Sequence, residues 1–233
     1  MLVWLRAIQQ KEKLKYNLIL VSIDTISGII IMTTKTQEQI LAFLVANPEE
    51  QLAIRGIARK LNKSYTLVYN NITDLARQKL ISKLSVPPAQ IIRLNEFAPT
   101  ELFVDIELNR KKEFLKKFPW AEVMLEDVFS ATGSMFFIML VFGSYAKCTQ
   151  TPRSDIDLLV IIQGKKDIAK IENALYNAYT KVKKSMHIVE ASDFKEMIKN
   201  TNELNVGNEA KKHHIILYGA EMYYQLLKRT YKK

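Results

Sequence analysis

Cysteine is nearly missing from this sequence: Cys148 is the only one in 233 residues. A single thiol excludes an internal disulfide framework and points to a reducing, cytoplasmic setting. Acidic residues are scarce relative to basic ones. Asp and Glu number 24 against 34 Lys and Arg, giving a formal net charge of +10 and a pI near 9.5. That surplus points to a polyanionic partner, namely nucleic acid, a membrane surface or phosphates. Long apolar runs are missing too. The best candidate, LILVSIDTISGIIIM (18–32), is broken by Ser22, Asp24, Thr25 and Ser27, whereas a membrane-spanning helix needs about 20 apolar residues. It lacks a convincing cleavage site, so neither a membrane anchor nor a signal peptide is expected. No repeat or low-complexity segment is visible.

What remains is ordinary globular material. Hydrophobic residues make up 48% and charged residues 25%, which excludes disorder over most of the length and fits one or two domains. Residues 1–32 read either as a β-hairpin turning at Asp24–Gly28 or as an extension upstream of Met32, which directly precedes a well-formed helix start.

From residue 33 the periodicity is helical. Thr34 or Thr36 can cap a helix with Gln37 or Gln39 as its capping-box partner, and Ile40, Leu41, Leu44 and Val45 keep helical spacing up to Asn47-Pro48. A short second helix holds Ile54, Ile57, Ala58 and Leu61 on one face. The turn Asn62-Lys63-Ser64 leads to a third, with Val68, Ile72, Leu75 and Ala76 inward. SKLSVPPAQIIRL (82–94) then gives two strands around Pro87-Pro88. LAIRGIARKLNKSYTLVYNNITDLARQKLI (52–81) resembles the winged helix-turn-helix of MarR- or ArsR-type regulators. The resemblance implies DNA binding with the third helix in the major groove, through Ser64, Tyr65, Thr66, Tyr69 and Asn70. Residues 33–95 carry nine Lys and Arg against four Asp and Glu, and Arg59 and Lys63 are candidate phosphate contacts. A three-helix module that only mediates protein contacts is the alternative.

Residues 98–118 read as a helical connector with Leu102, Phe103, Ile106, Phe114, Leu115 and Phe118 at helical spacing and a basic opposite face. It either packs on a domain or makes a homodimer contact.

The chemistry lies in residues 119–233. FFIMLVF (136–142) is a strand buried on both faces and ends in Gly143-Ser144. The next apolar run, IDLLVII (156–162), opens with Asp155-Ile156-Asp157. Residues i and i+2 of a strand share a face, so the two carboxylates project side by side. Their repulsion needs a cation, and oxygen-ligated Mg²⁺ (or Mn²⁺) is the natural one. Gly143 permits close backbone approach, and Ser144 offers a hydroxyl and an N–H to a phosphate oxygen. A phosphate cradle beside paired carboxylates is what Mg-dependent nucleotidyl transfer needs.

GSYAKCTQTPRSDIDLLVII (143–162) resembles the signature of the DNA polymerase β-type nucleotidyltransferase superfamily, most closely its minimal branch. The tail HHIILYGAEMYYQLL (213–227) resembles the end of archaeal members that carry an N-terminal winged helix. The resemblance implies an α/β (α+β) mixed sheet flanked by helices. It implies that Gly143 and Ser144 hold an NTP triphosphate and that Asp155 and Asp157 ligate the metal. It also implies transfer of an NMP to an acceptor hydroxyl, which in some minimal members belongs to a partner toxin. Lys147 and Arg153 lie where a cation can help hold phosphates, though solvated surface charge is the plainer reading.

Two departures stand out. Cys148 replaces a glycine common in the family and reads as a small turn residue. The family's third carboxylate also has no obvious counterpart. The best third strand is SMHIVEAS (185–192), where the matching position holds His187, either a replacement base or an ordinary edge-strand residue. Glu190 should face the opposite side, and Asp193 should cap a helix starting at Phe194. His213-His214 lacks partners at metal-ligand spacing. The sequence thus supports a nucleotidyltransferase coupled to a DNA-binding winged helix. The alternative is a DNA-binding regulator whose nucleotidyltransferase domain binds nucleotide without catalysing.

Overall fold

A computed structural model describes residues 33–231 apart from 88, 96, 134 and 135. The expectation of a hairpin or extension over 1–32 lies outside the described residues. The chain divides into two compact units, residues up to 44 with 50–95, and residues 45–49 with 96 onward.

In the first unit, α1 (Lys35–Ala46) begins with a reciprocal capping box. The Thr34 N–H donates to Gln37 Oε1 at 2.9 Å and the Gln37 N–H to Thr34 Oγ1 at 3.2 Å, satisfying two donors that a helix start leaves orphaned. After β1 (Leu52–Ala53), α2 (Ile54–Lys60) buries Ile54, Ile57 and Ala58. Asn62, at φ 51°, turns the chain into α3 (Tyr65–Arg77). Val68, Ile72 and Leu75 of α3 are fully buried, while Ala76 is only partly so. The face also buries Asn71, whose Oδ1 accepts from Thr34 Oγ1 at 2.9 Å and whose Nδ2 donates to the Leu67 carbonyl at 2.7 Å. β2 (Ile81–Val86) and β3 (Ala89–Leu94) pair antiparallel with Val86 opposite Ala89, and β1 closes a three-stranded sheet in the order β1-β3-β2. This is a winged helix.

The second unit opens with α4 (Thr100–Lys117) and α5 (Trp120–Thr132). The α4 segment, read from sequence as a connector, packs against the unit's last strand and last helix. β4 (Phe137–Phe142) leads through the one-turn α6 (Gly143–Ala146) and a loop to β5 (Ile156–Ile162). A 3-10 turn, α7 (Ile168–Asn177), β6 (Lys184–Glu190), α8 (Ala191–Lys199), α9 (Val206–Lys212), β7 (His214–Tyr218) and α10 (Ala220–Tyr231) follow. The sheet order is β6-β5-β4-β7, with β5–β6 parallel and the other pairs antiparallel.

β4 and β5 are apolar on both faces because helices cover both. Met139, Val141, Leu158 and Val160 pack with Met124, Val128, Ile171 and Leu175 of α5 and α7. Leu140, Phe142, Leu159 and Ile161 pack with Phe194, Ile198 and Tyr223 of α8 and α10. Complete burial of a branched or aromatic side chain is worth roughly 1.5–3 kcal/mol, so these central strands anchor the unit. The result is a mixed sheet flanked by helices. Among the described residues no helix is long and apolar enough to cross a membrane.

Candidate active site

The site residues gather at one end of the mixed sheet, where β4 ends and β5 begins. Phe142 stands opposite Asp157, so the Gly143 turn lies directly against that carboxylate. Gly143 has φ +65°, and a Cβ there would collide with Asp157 Oδ2. Glycine is therefore required twice, by conformation and by space. α6 is held from behind by Tyr145, which is buried and lies edge-on to Phe118 and Trp120 at ring-centroid distances of 5.1 and 6.0 Å. The Thr149 N–H donates to the Ser144 carbonyl at 2.9 Å, closing the loop behind the turn. Cys148 is exposed and sits at φ 57°, the left-handed conformation that favours glycine.

Asp155 is exposed and Asp157 half-buried. The Asp157 carboxyl is held above its ordinary value chiefly by burial. Its neighbours Glu209 and Asp155 add to the shift, while His187 and a hydrogen bond from Ser185 oppose it. The phenol of Tyr145 is pushed up as well, by burial and then by Asp155. The site thus concentrates negative charge in a partly desolvated place, which favours any cation that enters.

On the far side of β5 lies β6, with Asp157 opposite Ser185 and Leu159 opposite His187. Ser185 and His187 consequently share the face of Asp157. Their side chains approach each other at 3.4 Å (Ser185 Oγ to His187 Nε2), and the His187 ring lies 5.8 Å from that of Phe142. Glu190 is removed to the other end of the strand, opposite Ile162 and 3.9 Å from Lys165 Nζ. Asp193 does not cap a helix at Phe194. α8 starts at Ala191 straight out of the strand, leaving Asp193 in its first turn, where a carboxylate favours the helix dipole. Lys147 is paired with Glu209 at 3.7 Å, and Arg153 is exposed on the connecting loop.

Two neighbours escape a reading of motifs. Ser185 lies two residues before His187, so strand alternation alone could have placed it on the same face. Glu209 comes from α9, far along the chain, and carries no local signal. Among the described residues no group of three or more His, Cys, Asp or Glu is arranged to hold a metal. The donors present, the carboxylates of exposed Asp155 and half-buried Asp157, are of the oxygen type that suits a hard divalent cation such as Mg²⁺.

His213-His214 is not part of this site. His214 is buried on β7 with its Nδ1 2.8 Å from the Ala210 carbonyl. Burial, with Arg110 close by, lowers its pKa to about 3. It is therefore neutral at pH 7, and its 3.7 Å approach to Glu107 is no ion pair.

In the first unit, Tyr65, Thr66, Tyr69 and Asn70 lie exposed along α3. The rings of Tyr65 and Tyr69 stack at 5.9 Å, with Arg55 and Lys83 each 5.9 Å from one ring. Ser64 Oγ accepts from the Leu67 N–H at 3.3 Å as the helix N-cap. Arg59 is exposed and Lys63 partly so.

Residues 125–221 match the family model for polymerase beta, nucleotidyltransferase, so the second unit carries a nucleotidyltransferase domain of that family. No curated protein matches the chain significantly. Solved structures with likeness to it include MepR, a transcription regulator of the Staphylococcus aureus multidrug efflux pump MepA. It is 23% identical over 36% of this chain and 64% of that one, with a TM-score of 0.31. A cysteine-to-serine mutant of Lactococcus lactis ZitR is 21% identical over 51% and 85%, TM-score 0.31. The adhesin competence repressor AdcR of Streptococcus pyogenes is 27% identical over 42% and 76%, TM-score 0.28. This chain spans just under two thirds of the length of MepR. At such TM-scores the activities of those regulators do not carry over.

Proposed function

We propose that the protein is a Mg²⁺- or Mn²⁺-dependent nucleotidyltransferase that moves an NMP from an NTP to an acceptor hydroxyl, with a winged helix that binds DNA. One observation carries this reading: the Gly143-Ser144 turn rests on the carboxylate of Asp157, and Asp155, just before β5, is near enough to help raise that carboxyl's pKa. That arrangement puts a phosphate cradle within reach of two oxygen ligands.

Gly143 and Ser144 bind the triphosphate through backbone and hydroxyl. Asp155 and Asp157 would hold the divalent cation, which supplies charge neutralisation to the phosphates as the α-phosphorus is attacked. His187 and Ser185 line the opposite side, where the acceptor enters. His187 is the base within reach for the acceptor proton. The acceptor oxygen bonds to the α-phosphorus, the bond to the bridging oxygen breaks, and pyrophosphate leaves. A toxin or other protein hydroxyl is one acceptor that fits. The protein works in the cytoplasm, as its single thiol suggests.

Incubation with each labelled NTP, Mg²⁺ and cell lysate tests the reaction. Transfer of label that Asp155→Ala abolishes is the expected result. A second reading is favoured by one observation. The β6 positions on the Asp157 side hold Ser185, opposite Asp157, and His187, opposite Leu159, rather than a carboxylate, and imidazole is a poor Mg²⁺ ligand. Mg-NTP protection against melting with no transfer to any acceptor would establish this nucleotide-binding regulator instead.

A further inference from the structure

The mixed sheet of the second unit has two edges, and the chain treats them differently. At the β7 edge, α4 offers side chains to the strand's outer backbone groups. Arg110 Nη2 donates to the His214 carbonyl at 2.5 Å, and Glu107 accepts from the Ile216 N–H. Glu107 and Arg110 are themselves paired at 2.7 Å. That edge is closed. β6 forms the other edge, and among the described residues no strand pairs with its outer side.

Which atoms of β6 face outward follows from its register. Ile156 stands opposite Lys184, and its N–H donates to the Lys183 carbonyl at 2.8 Å. Backbone groups alternate in direction along a strand, so Lys183, Ser185, His187 and Val189 turn theirs toward β5. Lys184, Met186 and Ile188 turn theirs to the open edge. An unpaired edge is a template for another strand, which proteins commonly blunt with proline, bulges or charged side chains. From Ser185 to Val189 there is no proline, no Asp, Glu, Lys or Arg, and no bulge. Lys184 and Glu190 stand at the two ends. Lys184 Nζ is held by the carbonyls of Leu175, Tyr176 and Ala178, neutral acceptors that keep its charge at the edge. Met186 and Ile188 pack on the face covered by α5 and α7, while His187 lies against Phe142 on the other face.

We propose that β6 pairs antiparallel with β6 of a second copy of this chain, across a twofold axis through His187. Outward residues must meet outward residues for hydrogen bonds to form. A second copy satisfies this when Met186 lies opposite Ile188 of the partner subunit. The same register sets Lys184 opposite Glu190 of the partner subunit, at both ends of the interface. Opposite charges at the ends and apolar pairs between them are what cross-strand neighbours favour. Sliding the pairing to the next outward position in either direction sets Lys184 against Ile188 or Glu190 against Met186, and the charge match is lost. With the axis perpendicular to the sheet, the two carboxylate sites open on the same face of one continuous sheet, and the His187 residues meet at its centre. The interface does not depend on the nucleotidyl-transfer reading.

Sedimentation velocity of the full chain at micromolar concentration tests the association, and cysteine crosslinking tests the register. Wild type should sediment at twice the 26.9 kDa chain mass. Ile188→Pro removes an outward N–H from each copy while sparing the bonds to β5, a place where an edge strand tolerates proline. It should weaken the dimer about tenfold or more. Glu190→Lys sets like charges opposite each other at both ends and should weaken it as well. Melting temperatures check that each variant is folded. For the register, Cys148→Ser removes the one native thiol. In that background His187→Cys should form an intermolecular disulfide under mild oxidation. Directly opposed residues of a pair without hydrogen bonds have Cα atoms about 4.5 Å apart, within the span of a disulfide. Val189→Cys should not crosslink, because the two copies of that residue lie roughly 13 Å apart along the strand. This pair of variants carries the test even if Ile188→Pro fails to fold. A monomeric wild type overturns the proposal. So does a dimer that folded Ile188→Pro and Glu190→Lys both leave intact, which puts the contact on another surface, or crosslinking at 189 as efficient as at 187.

Discussion

The two units spend their side chains differently. In the winged helix, the residues expected to meet a ligand point outward from a finished core: Tyr65, Thr66, Tyr69, Asn70 and Arg59 are all exposed, and Val68, Ile72 and Leu75 hold the fold beneath them. In the nucleotidyltransferase unit the same atoms serve both ends. Phe142 fills the core while the residue after it forms the turn, and Asp157 sits on a strand whose next five residues are buried. A surface assembled from many separate contacts loses affinity by degrees when one is removed. A site built from two strand ends and one turn fails at once.

The carboxylates should break that contrast most sharply. Asp155→Ala or Asp157→Ala should abolish the rise in melting temperature that Mg-NTP gives, because ligand stabilisation requires binding to the folded state. Any transfer activity should fall by on the order of 10²–10³-fold or more, the scale for losing an electrostatic group at a reacting centre. Intact Mg-NTP protection in both variants would place the ligand elsewhere.

Gly143→Ala comes next. The left-handed φ alone costs about 1–2 kcal/mol for a residue with a Cβ, and the added methyl displaces the Asp157 carboxylate. A fall in melting temperature of about 3–6 °C is expected, together with loss of Mg-NTP protection. An unchanged melting temperature would show that the turn relaxes freely.

Much of this is legible in the sequence because the relevant signals are local. The capping box joins Thr34 and Gln37, three positions apart, and the Gly143-Ser144 and Asp155-x-Asp157 pairs lie at the ends of adjacent apolar runs. Strand alternation suggests a shared face for the two carboxylates, although β5 itself begins at Ile156, one residue after Asp155. Other features depend on pairing between distant segments. Glu209 reaches the neighbourhood of Asp157 from α9, and nothing near it in sequence announces that. Asn71 looks like a surface residue beside Asn70, yet it is buried, with Thr34, the residue just before α1, donating to it. The start of α8 is misread because Asp193 has the chemistry of a cap, whereas the chain turns from strand to helix without one.

His187 decides between the transferase and the regulator. If it takes the acceptor proton, His187→Ala should lower transfer by roughly 10²–10⁴-fold with nucleotide protection intact. If it stands where a metal-binding carboxylate is needed, His187→Asp should instead create or raise activity with Mg²⁺ or Mn²⁺. Equal, substantial transfer by wild type and both variants would make it structural.

The winged helix should respond in smaller steps. Arg59→Ala/Lys63→Ala should weaken DNA binding to every sequence alike and lower the salt slope by about 1.8. Asn70→Ala should mainly relax sequence choice, by about 1–3 kcal/mol at one base pair. No measurable binding of genomic fragments in about 50 mM salt would leave a module for protein contacts.

The smallest effect concerns the ligand-free protein and runs opposite to ordinary intuition about losing a site residue. The Asp157 carboxyl is raised above its usual value, first by burial and then by Glu209 and Asp155. Ionising it therefore costs more in the folded chain than in the unfolded one, where it titrates near 3.9. The penalty is fully present above the folded-state pKa and vanishes below the unfolded value. Asp157→Asn should raise the ligand-free melting temperature slightly at pH 7–8, and the gain should shrink as the pH falls toward 4. With Mg-NTP the order should reverse, since wild type gains the ligand and the variant does not. Lys63→Gln, a partly exposed change in the other unit, should show no reversal. Calorimetry of the three proteins with and without Mg-NTP decides it. If Asp157→Asn melts below wild type without ligand at pH 7–8, Asp157 is held for its folding contacts rather than kept under electrostatic tension for a cation.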